Sequence, residues 1–422
     1  MVHPDWRRGN AGRGPEGRIE EAIGLAAALD LEVVHALIAP VRTVRPATLF
    51  GPGKVEEIGE LCRQSAAAVV VVDDALTPIQ QRNLERAWNV KVVDRTGLIL
   101  EIFARRARTA EGRLQVELAR LDYERSRLVR TWTHLERQRG GFGFLGGPGE
   151  TQIEADRRLI LERITRLKTE LADVRRTRGL ARRARRRVPY PAVALVGYTN
   201  AGKSTLFNRL TGAKVLARSA LFATLDPTLR RLPLPAGRPA ILSDTVGFIS
   251  DLPHELVEAF RATLDEVREA DIILHVRDIS GAHADAEAED VGKVLEELDL
   301  GPESGRRLVE VWNKIDAFDE EVRPDVAARA RRFGAVAVSA LTGEGIEELL
   351  SRIAGLVDDG PEVTFRLAAS DGEALAWLYR HGRVSSREET EEGALVRARL
   401  DPQALGRFQR MRPQAELPAA AE

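Results

Sequence analysis

The chain has 422 residues, 44% of them apolar and 30% charged, with a formal net charge of −1. That length exceeds what one hydrophobic core organises, so about two to four domains are expected. The single cysteine, Cys62, excludes an internal disulfide framework and suits a reducing compartment, and no apolar run approaches the roughly 20 residues of a membrane-spanning helix.

The start, Met-Val-His-Pro-Asp-Trp-Arg-Arg, has no hydrophobic segment behind it to act as a signal, so a cytoplasmic protein is expected. A monomer is the expectation as well. The near-neutral total hides an asymmetry. Between Arg105 and Arg187 there are 23 Lys/Arg against 11 Asp/Glu, a net +12, which leaves −13 for everything else. Positive charge gathered in one segment points to a polyanionic partner there.

Residues 1–19, rich in Gly, Arg and Pro, read as a disordered lead-in. Residues 20–112 then alternate short β-branched runs, at Leu31 to Ile38, Ala67 to Val72 and Val90 to Val93, with amphipathic segments at Lys54 to Arg63 and Pro78 to Trp88. Thr77-Pro78 supplies an N-cap and a first-turn proline for the second helix. A small parallel α/β domain is expected. Its Gly51-Pro52-Gly53-Lys54 loop reads as a turn rather than a second phosphate site, because it lacks the second half of the G-x4-G-K-S spacing and a hydroxyl after the lysine.

Residues 113–188 carry two helical patterns. Leu114, Leu118, Leu121, Leu128, Trp132 and Leu135 recur at spacings of four and three with Arg125 as the one interruption, and Ile153, Ile160, Ile164, Leu167, Leu171 and Val174 repeat the pattern. Two such helices joined by a short connector fold back as an antiparallel coiled-coil hairpin with arms of roughly 35 to 50 Å. The connector, residues 140–149, holds six glycines around Phe142, Phe144 and Leu145. These rings either tuck back onto the helices or form a probe that stacks on bases. Arg105-Arg106, Arg175-Arg176 and Arg182 to Arg187 mark the base as a nucleic-acid surface.

Residues 189–358 hold the chemistry. The apolar run Ala192 to Val196 leads into Gly197-Tyr198-Thr199-Asn200-Ala201-Gly202-Lys203-Ser204-Thr205. In this strand, glycine loop and helix start, backbone N–H groups turn toward phosphate oxygens, Lys203 adds a point charge and Ser204 offers an oxygen to Mg²⁺. Ile241 to Ser243 run into Asp244-Thr245-Val246-Gly247. There the aspartate holds the Mg²⁺ shell through water, and the Gly247 N–H meets a γ-phosphate only when that phosphate is present. The segment Phe222-Ala223-Thr224-Leu225-Asp226-Pro227-Thr228 lies between them. Thr224 is read as the hydroxyl that completes Mg²⁺ coordination in the triphosphate state, with Thr228 as the alternative. Asn313-Lys314-Ile315-Asp316 selects guanine, since one carboxylate accepts from both N1–H and the 2-amino group. Ser339-Ala340 places a backbone N–H at the guanine O6. Lys203, Thr224 and Gly247 are the residues expected to act on the transferring phosphoryl group. Residues 359–422 read as a small α+β domain: a strand at Val363 to Ala368, a helix near Leu375 to Tyr379, a strand at Leu395 to Leu400 and a last helix to Met411.

With these motifs, the Gly-Phe-Gly tip leading into Glu150-Thr151-Gln152 and the Phe-Ala-Thr-Leu-Asp segment, the chain resembles the HflX family of translational GTPases from about Glu20 to Val357. The lead-in and the tail stand outside that resemblance. It implies a multidomain α/β chain with a Ras-like P-loop GTPase domain. It also implies GTP and GDP as ligands and Mg²⁺ on Ser204 and Thr224. The implied partner is the large ribosomal subunit with its rRNA, which stimulates hydrolysis, and the implied task is dissociation of stalled ribosomes under stress, with the hairpin approaching the peptidyl-transferase region. A GTP-dependent RNA-binding module, or an anti-association factor whose hydrolysis only resets binding, is the alternative.

One position departs from the usual chemistry. Phe248 follows Gly247 where many such GTPases carry a water-orienting glutamine, so slow intrinsic hydrolysis is expected. Asn200 either helps bind K⁺ against the phosphates or hydrogen-bonds within the loop. His254 and Glu255 lie nearby without an assigned role.

Overall fold

Four parallel strands in the order β2-β1-β3-β4 begin the structure, a computed structural model. It describes all residues except 7–13, 139–147, 186–189, 214–220, 223, 236–238, 251–260, 301–306, 358–361, 391–392, 401, 414 and 416–422. The strands are β1 (Val2–Asp5), β2 (Leu37–Pro40), β3 (Val69–Val72) and β4 (Lys91–Asp94). Between and after them run α1 (Pro15–Ala27), α2 (Pro52–Gln64), α3 (Pro78–Trp88) and α4 (Arg95–Arg106). The expectation of a disordered lead-in is corrected at its start. Val2 is buried, β1 pairs with β2 from Val2↔Leu37 to Asp5↔Pro40, and β1 is the second strand of the sheet. The first expected strand is also shorter than its β-branched run, which becomes β2 only from Leu37.

Local chemistry accounts for the helix starts. Thr77 accepts from Gln80 N while the Gln80 side chain accepts from Thr77 N, so α3 opens with a complete capping box and a proline in its first turn. Gly51 caps α2, and Lys54 is paired with Glu57 at 2.7 Å. The Gly-Lys loop is thus a helix start with its cation engaged.

The hairpin helices are α5 (Ala110–Gln138) and α6 (Pro148–Arg185). Leu118, Ile164, Leu167 and Leu171 form a buried seam between them, flanked by Leu114, Leu121 and Ile160, which are the apolar positions that recur every three or four residues. Phe142, Phe144 and Leu145 lie outside the described residues, as do the side chains of Arg182 to Arg187. The root of α5 is tied to the first sheet: Tyr123 Oη and Arg127 Nη2 donate to Asp94 at 2.5 and 2.6 Å.

The nucleotide-domain sheet runs β10-β9-β8-β5-β7-β6, from β5 (Ala192–Val196), β6 (Thr228–Leu232), β7 (Ala240–Asp244), β8 (Ile272–Asp278), β9 (Arg307–Asn313) and β10 (Val336–Ala337). All neighbours are parallel except β6, which runs antiparallel to β7. Its helices are α7 (Lys203–Thr211), α8 (Arg261–Glu269), α9 (Ala284–Glu297), α10 (Arg323–Arg332) and α11 (Ile346–Val357). One core joins this sheet to the first domain: Leu25 of α1, Ile99 and Phe103 of α4 and Val116 of α5 pack in one cluster with Ala194, Val196, Phe248 and Ile273. A second core fills the opposite face under α7 and α11. The tail folds as an antiparallel sheet β11-β13-β12 (Glu362–Ala368, Gly393–Arg399, Arg383–Thr390) with α12 (Gly372–His381) and α13 (Pro402–Met411). The strand β12 was not among the expected elements.

At the seam between the first domain and the nucleotide domain sits a buried charge cluster. Arg95 donates to Asp73 Oδ1 at 2.5 Å through Nη1, and through Nη2 to Glu21 and to Ser250 O at 3.1 Å. His3 Nδ1 lies 2.9 Å from Asp73 Oδ2. The two carboxylates hold the guanidinium charged despite its burial. Removing one partner of such a cluster leaves an uncompensated buried charge. Arg95→Met is therefore expected to cost about 3 to 5 kcal/mol, read as a lowered midpoint in thermal unfolding; an unchanged midpoint contradicts the role given to the cluster.

Candidate functional site

Strand β5 delivers the glycine loop to the C-terminal edge of a mostly parallel sheet, where open α/β sheets bind ligands. The loop takes left-handed backbone at Asn200 (φ 62°) and Gly202 (φ 92°). A methyl group on Gly202 would lie 2.2 Å from Asn313 Nδ2, so glycine is required there both by conformation and by the close approach of the base-reading segment. Lys203 Nζ donates to Gly197 O at 3.0 Å and Tyr198 O at 2.7 Å. These bonds hold the ammonium inside the loop, and burial pulls its pKa down to about 8. Asn200 is exposed, and Thr205 is half-buried in α7.

The residues assigned to Mg²⁺ meet. Ser204 Oγ and Thr224 Oγ1 are 2.8 Å apart, and both donate to Asp244 Oδ2, at 2.7 and 2.8 Å. Thr228 instead opens β6, opposite Asp244 in the β6–β7 register, so Thr224 is the hydroxyl brought to this locus. Burial raises the Asp244 carboxyl, its hydrogen bonds to Ser204 and Thr224 opposing the shift. Its Oδ1 is buried without a hydrogen-bond partner among the described residues, as is Thr199 Oγ1. Two hydroxyls and a carboxylate form an all-oxygen donor set, which suits a hard cation such as Mg²⁺, and the unsatisfied Oδ1 has capacity for a water of its shell.

Downstream of Asp244, Thr245 Oγ1 donates to Leu195 O at 2.5 Å and Val246 is buried. Gly247 passes close to the loop: a methyl group there would stand 2.8 Å from Thr199 Cα and 3.1 Å from Lys203 Nζ. Phe248 does not face the phosphate cradle. Its backbone pairs with the loop, accepting from Thr199 N at 2.8 Å and donating to Gly197 O at 3.1 Å, while the side chain is buried in the core shared with the first domain. His254 and Glu255 lie outside the described residues, and so does Ala223.

The base-reading motifs converge on one another. Asn313 Nδ2 donates to Ala201 O at 2.8 Å, and Asn313 Oδ1 accepts from Ala340 N at 3.0 Å. One side chain thus ties the glycine loop to the last motif. Ser339 Oγ donates to Asp316 Oδ1 at 2.6 Å, and Ile315 N bonds Val338 O at 3.3 Å. Lys314, in left-handed backbone at φ 66°, pairs with Asp278 at 2.6 Å.

Three expected nucleotide residues point elsewhere. Phe222 and Leu225 are buried in the shared core, and the Asp226 carboxylate accepts from Arg108 N at 2.8 Å and Thr109 N at 2.9 Å. The five-residue segment therefore brings only Thr224 to the cation locus with its side chain. Sequence reasoning also missed Tyr198 as a connector: its hydroxyl bonds Glu21 and accepts from Ser250 N at 2.8 Å. A sequence separation of 177 residues between Tyr198 and Glu21 leaves no local signal for that pairing.

Family models match almost end to end: "GTP-binding GTPase N-terminal" over residues 16–104, "GTP-binding GTPase Middle Region" over 106–185, "50S ribosome-binding GTPase" over 192–314 and "HflX C-terminal domain" over 325–414. GTPase HflX of Magnetococcus marinus is 52% identical over 392 residues, 93% of this chain and 90% of the relative. The chain belongs to the HflX family. GTPase HflX of Escherichia coli is 43% identical over 378 residues, covering 89% of this chain and 88% of the relative. A solved GTP-binding protein of Sulfolobus solfataricus, in complex with GDP, is 24% identical with a TM-score of 0.44, covering 85% of this chain and 98% of that one. The tail, left outside the resemblance in the sequence, falls within the HflX C-terminal match as far as residue 414. As a member of this family the protein is a GTP hydrolase.

The hydroxyl cluster sets the expected behaviour of Thr224→Ala. With Thr224 assigned as the hydroxyl that completes cation coordination in the triphosphate state, its loss should weaken binding of a non-hydrolysable GTP analogue about tenfold while sparing GDP. Nucleotide titrations check this, and equal losses for the two nucleotides contradict the assignment.

Proposed function

We propose that this HflX-family GTPase binds the large ribosomal subunit, alone or within the 70S particle, and couples GTP to the dissociation or rescue of stalled ribosomes under stress in the cytoplasm. The observation that carries the reading is the placement of a +12 segment, folded as the packed pair α5 and α6, with its root on the same loop that bears Thr224. The description "50S ribosome-binding GTPase" for residues 192–314 supports the same partner. A basic stalk recognises rRNA through its phosphates, and a stalk joined to the nucleotide loop makes that contact sensitive to the nucleotide.

The chain's own residues divide the work. Gly197 to Thr205 wrap the phosphates with backbone N–H groups, and Lys203 supplies a point charge at the last two. Asp316, held by Ser339, reads guanine, while the Ala340 N–H that was expected at O6 donates to Asn313 Oδ1 here. Ser204, Thr224 and the Asp244 shell would hold Mg²⁺, which when bound neutralises charge on the β- and γ-phosphoryl oxygens. Gly247 and Thr224 report the γ-phosphate. Water orientation is the missing part, since the Phe248 side chain is buried in the core. No side chain among the described residues takes that place, so on this reading it is completed by the ribosome or by K⁺ near Asn200, with hydrolysis slow alone and accelerated by subunits.

Sucrose-gradient sedimentation of 70S ribosomes with the full-length protein tests the proposal. With GTP and with a non-hydrolysable analogue the protein should co-sediment with 50S subunits, and the 70S peak should fall. Equal splitting with both nucleotides assigns hydrolysis to release, the behaviour of an anti-association factor. Absence of 50S binding in every nucleotide state contradicts the reading.

A further inference from the structure

Thr224 lies between two anchors that belong to other parts of the chain. On its N-terminal side the buried ring of Phe222 meets Phe103 of α4 edge-on, with centroids 4.8 Å apart. On its C-terminal side Asp226 reaches the head of α5. Asp226 Oδ2 accepts from the backbone N–H of Arg108 and of Thr109, at 2.8 and 2.9 Å, and Oδ1 accepts from Thr109 Oγ1 at 2.5 Å. Thr109 Oγ1 in turn accepts from Gly112 N at 3.0 Å. A carboxylate from the nucleotide domain thus holds the two N–H groups just before a long helix and the Thr109 hydroxyl that caps it, at the helix's positive dipole end.

Gly112 makes room for this contact. A methyl group at that position would stand 2.3 Å from Asp226 Oδ1 and 3.1 Å from Thr109 Oγ1. Glycine is a poor choice inside a helix on propensity alone. The head of α5 therefore gives up helix propensity at the one place where the Asp226 carboxylate enters.

We infer that Thr109 and Gly112 are positioning residues for the GTP reaction: they form a socket at the hairpin root that grips Asp226 and so sets the Thr224 hydroxyl at the Ser204–Asp244 locus. The inference deepens the function proposed above and rests on Thr224 being the hydroxyl that senses the triphosphate. Its consequence is reciprocal. Triphosphate binding holds Thr224 at that locus and so tightens the socket, and a tilt of the hairpin on its partner pulls Asp226 and with it Thr224. Neither Thr109 nor Gly112 touches nucleotide, so their influence has to appear as a change in preference between nucleotides.

The test uses the full-length chain with Mg²⁺ and fluorescent GDP and GMPPNP as probes, in the parent and in Gly112→Ala, Thr109→Val and Thr109→Ser. Gly112→Ala and Thr109→Val should each weaken GMPPNP about tenfold and GDP less than about twofold. Thr109→Ser, which keeps the hydroxyl, should retain the parent's ratio. Alanine is the better helix former, so a thermal midpoint of Gly112→Ala at or above the parent's separates loss of positioning from loss of fold. An unchanged GMPPNP-to-GDP ratio in both Gly112→Ala and Thr109→Val overturns the socket. If Thr224→Ala loses its triphosphate preference while those two variants keep theirs, the socket alone fails; if Thr224→Ala keeps its preference, the reading beneath it fails.

Discussion

The arrangement of the site depends on one buried carboxylate oxygen. Asp244 Oδ2 accepts from Ser204 Oγ on α7 and from Thr224 Oγ1 on the loop before β6, so three elements far apart in sequence converge at the end of β7. Burial of a carboxylate is costly unless hydrogen bonds or charge compensate it. Here two hydroxyls supply the bonds and the Lys203 ammonium supplies nearby charge, both opposing the upward shift that burial imposes. A hard cation at this locus would complete the same balance, since Asp244 Oδ1 is buried without a hydrogen-bond partner among the described residues.

The arrangement matters beyond the site because the loop bearing Thr224 is fastened outside the nucleotide domain. Phe222 packs on α4, Asp226 on the head of α5, and Tyr198 of the phosphate loop on Glu21 of α1. The shared core of α1, α4, α5 and one face of the second sheet makes the first domain and the hairpin root part of the GTPase's own packing. A rigid helix then carries displacement from its root along its length. Phe248, buried beneath the loop, shows the same economy: the position that orients water in many GTPases serves packing here.

How much of this was legible in the sequence follows from the range of the interactions. The nucleotide motifs could be read because they follow largely apolar strands, and the spacing of Lys203, Ser204 and Asp316 within them is local. The hairpin seam could be read because Leu118, Ile164, Leu167 and Leu171 repeat every three or four residues. β1 was missed because four residues containing Pro4, inside a stretch rich in Gly and Arg, argue against a strand, whereas its partners at Leu37 and Val72 are distant in sequence. β12, polar and charged throughout much of Arg383–Thr390, carries no apolar alternation to announce it. Asp226 is read with the nucleotide because it lies two residues after Thr224; its side chain instead meets residues 108 and 109, a separation of more than a hundred positions.

The central claim is that the triphosphate-sensing loop and the head of the hairpin are one structural unit, and amide hydrogen exchange tests it most directly. The N–H groups of Arg108 and Thr109 donate to Asp226, so a peptide spanning them reports the contact without any substitution. The account predicts stronger protection of these amides with Mg²⁺ and a non-hydrolysable GTP analogue than with GDP, in step with protection of the Thr224 segment. Equal exchange at Arg108 and Thr109 in the two nucleotide states, with the Thr224 segment changing on its own, would contradict it.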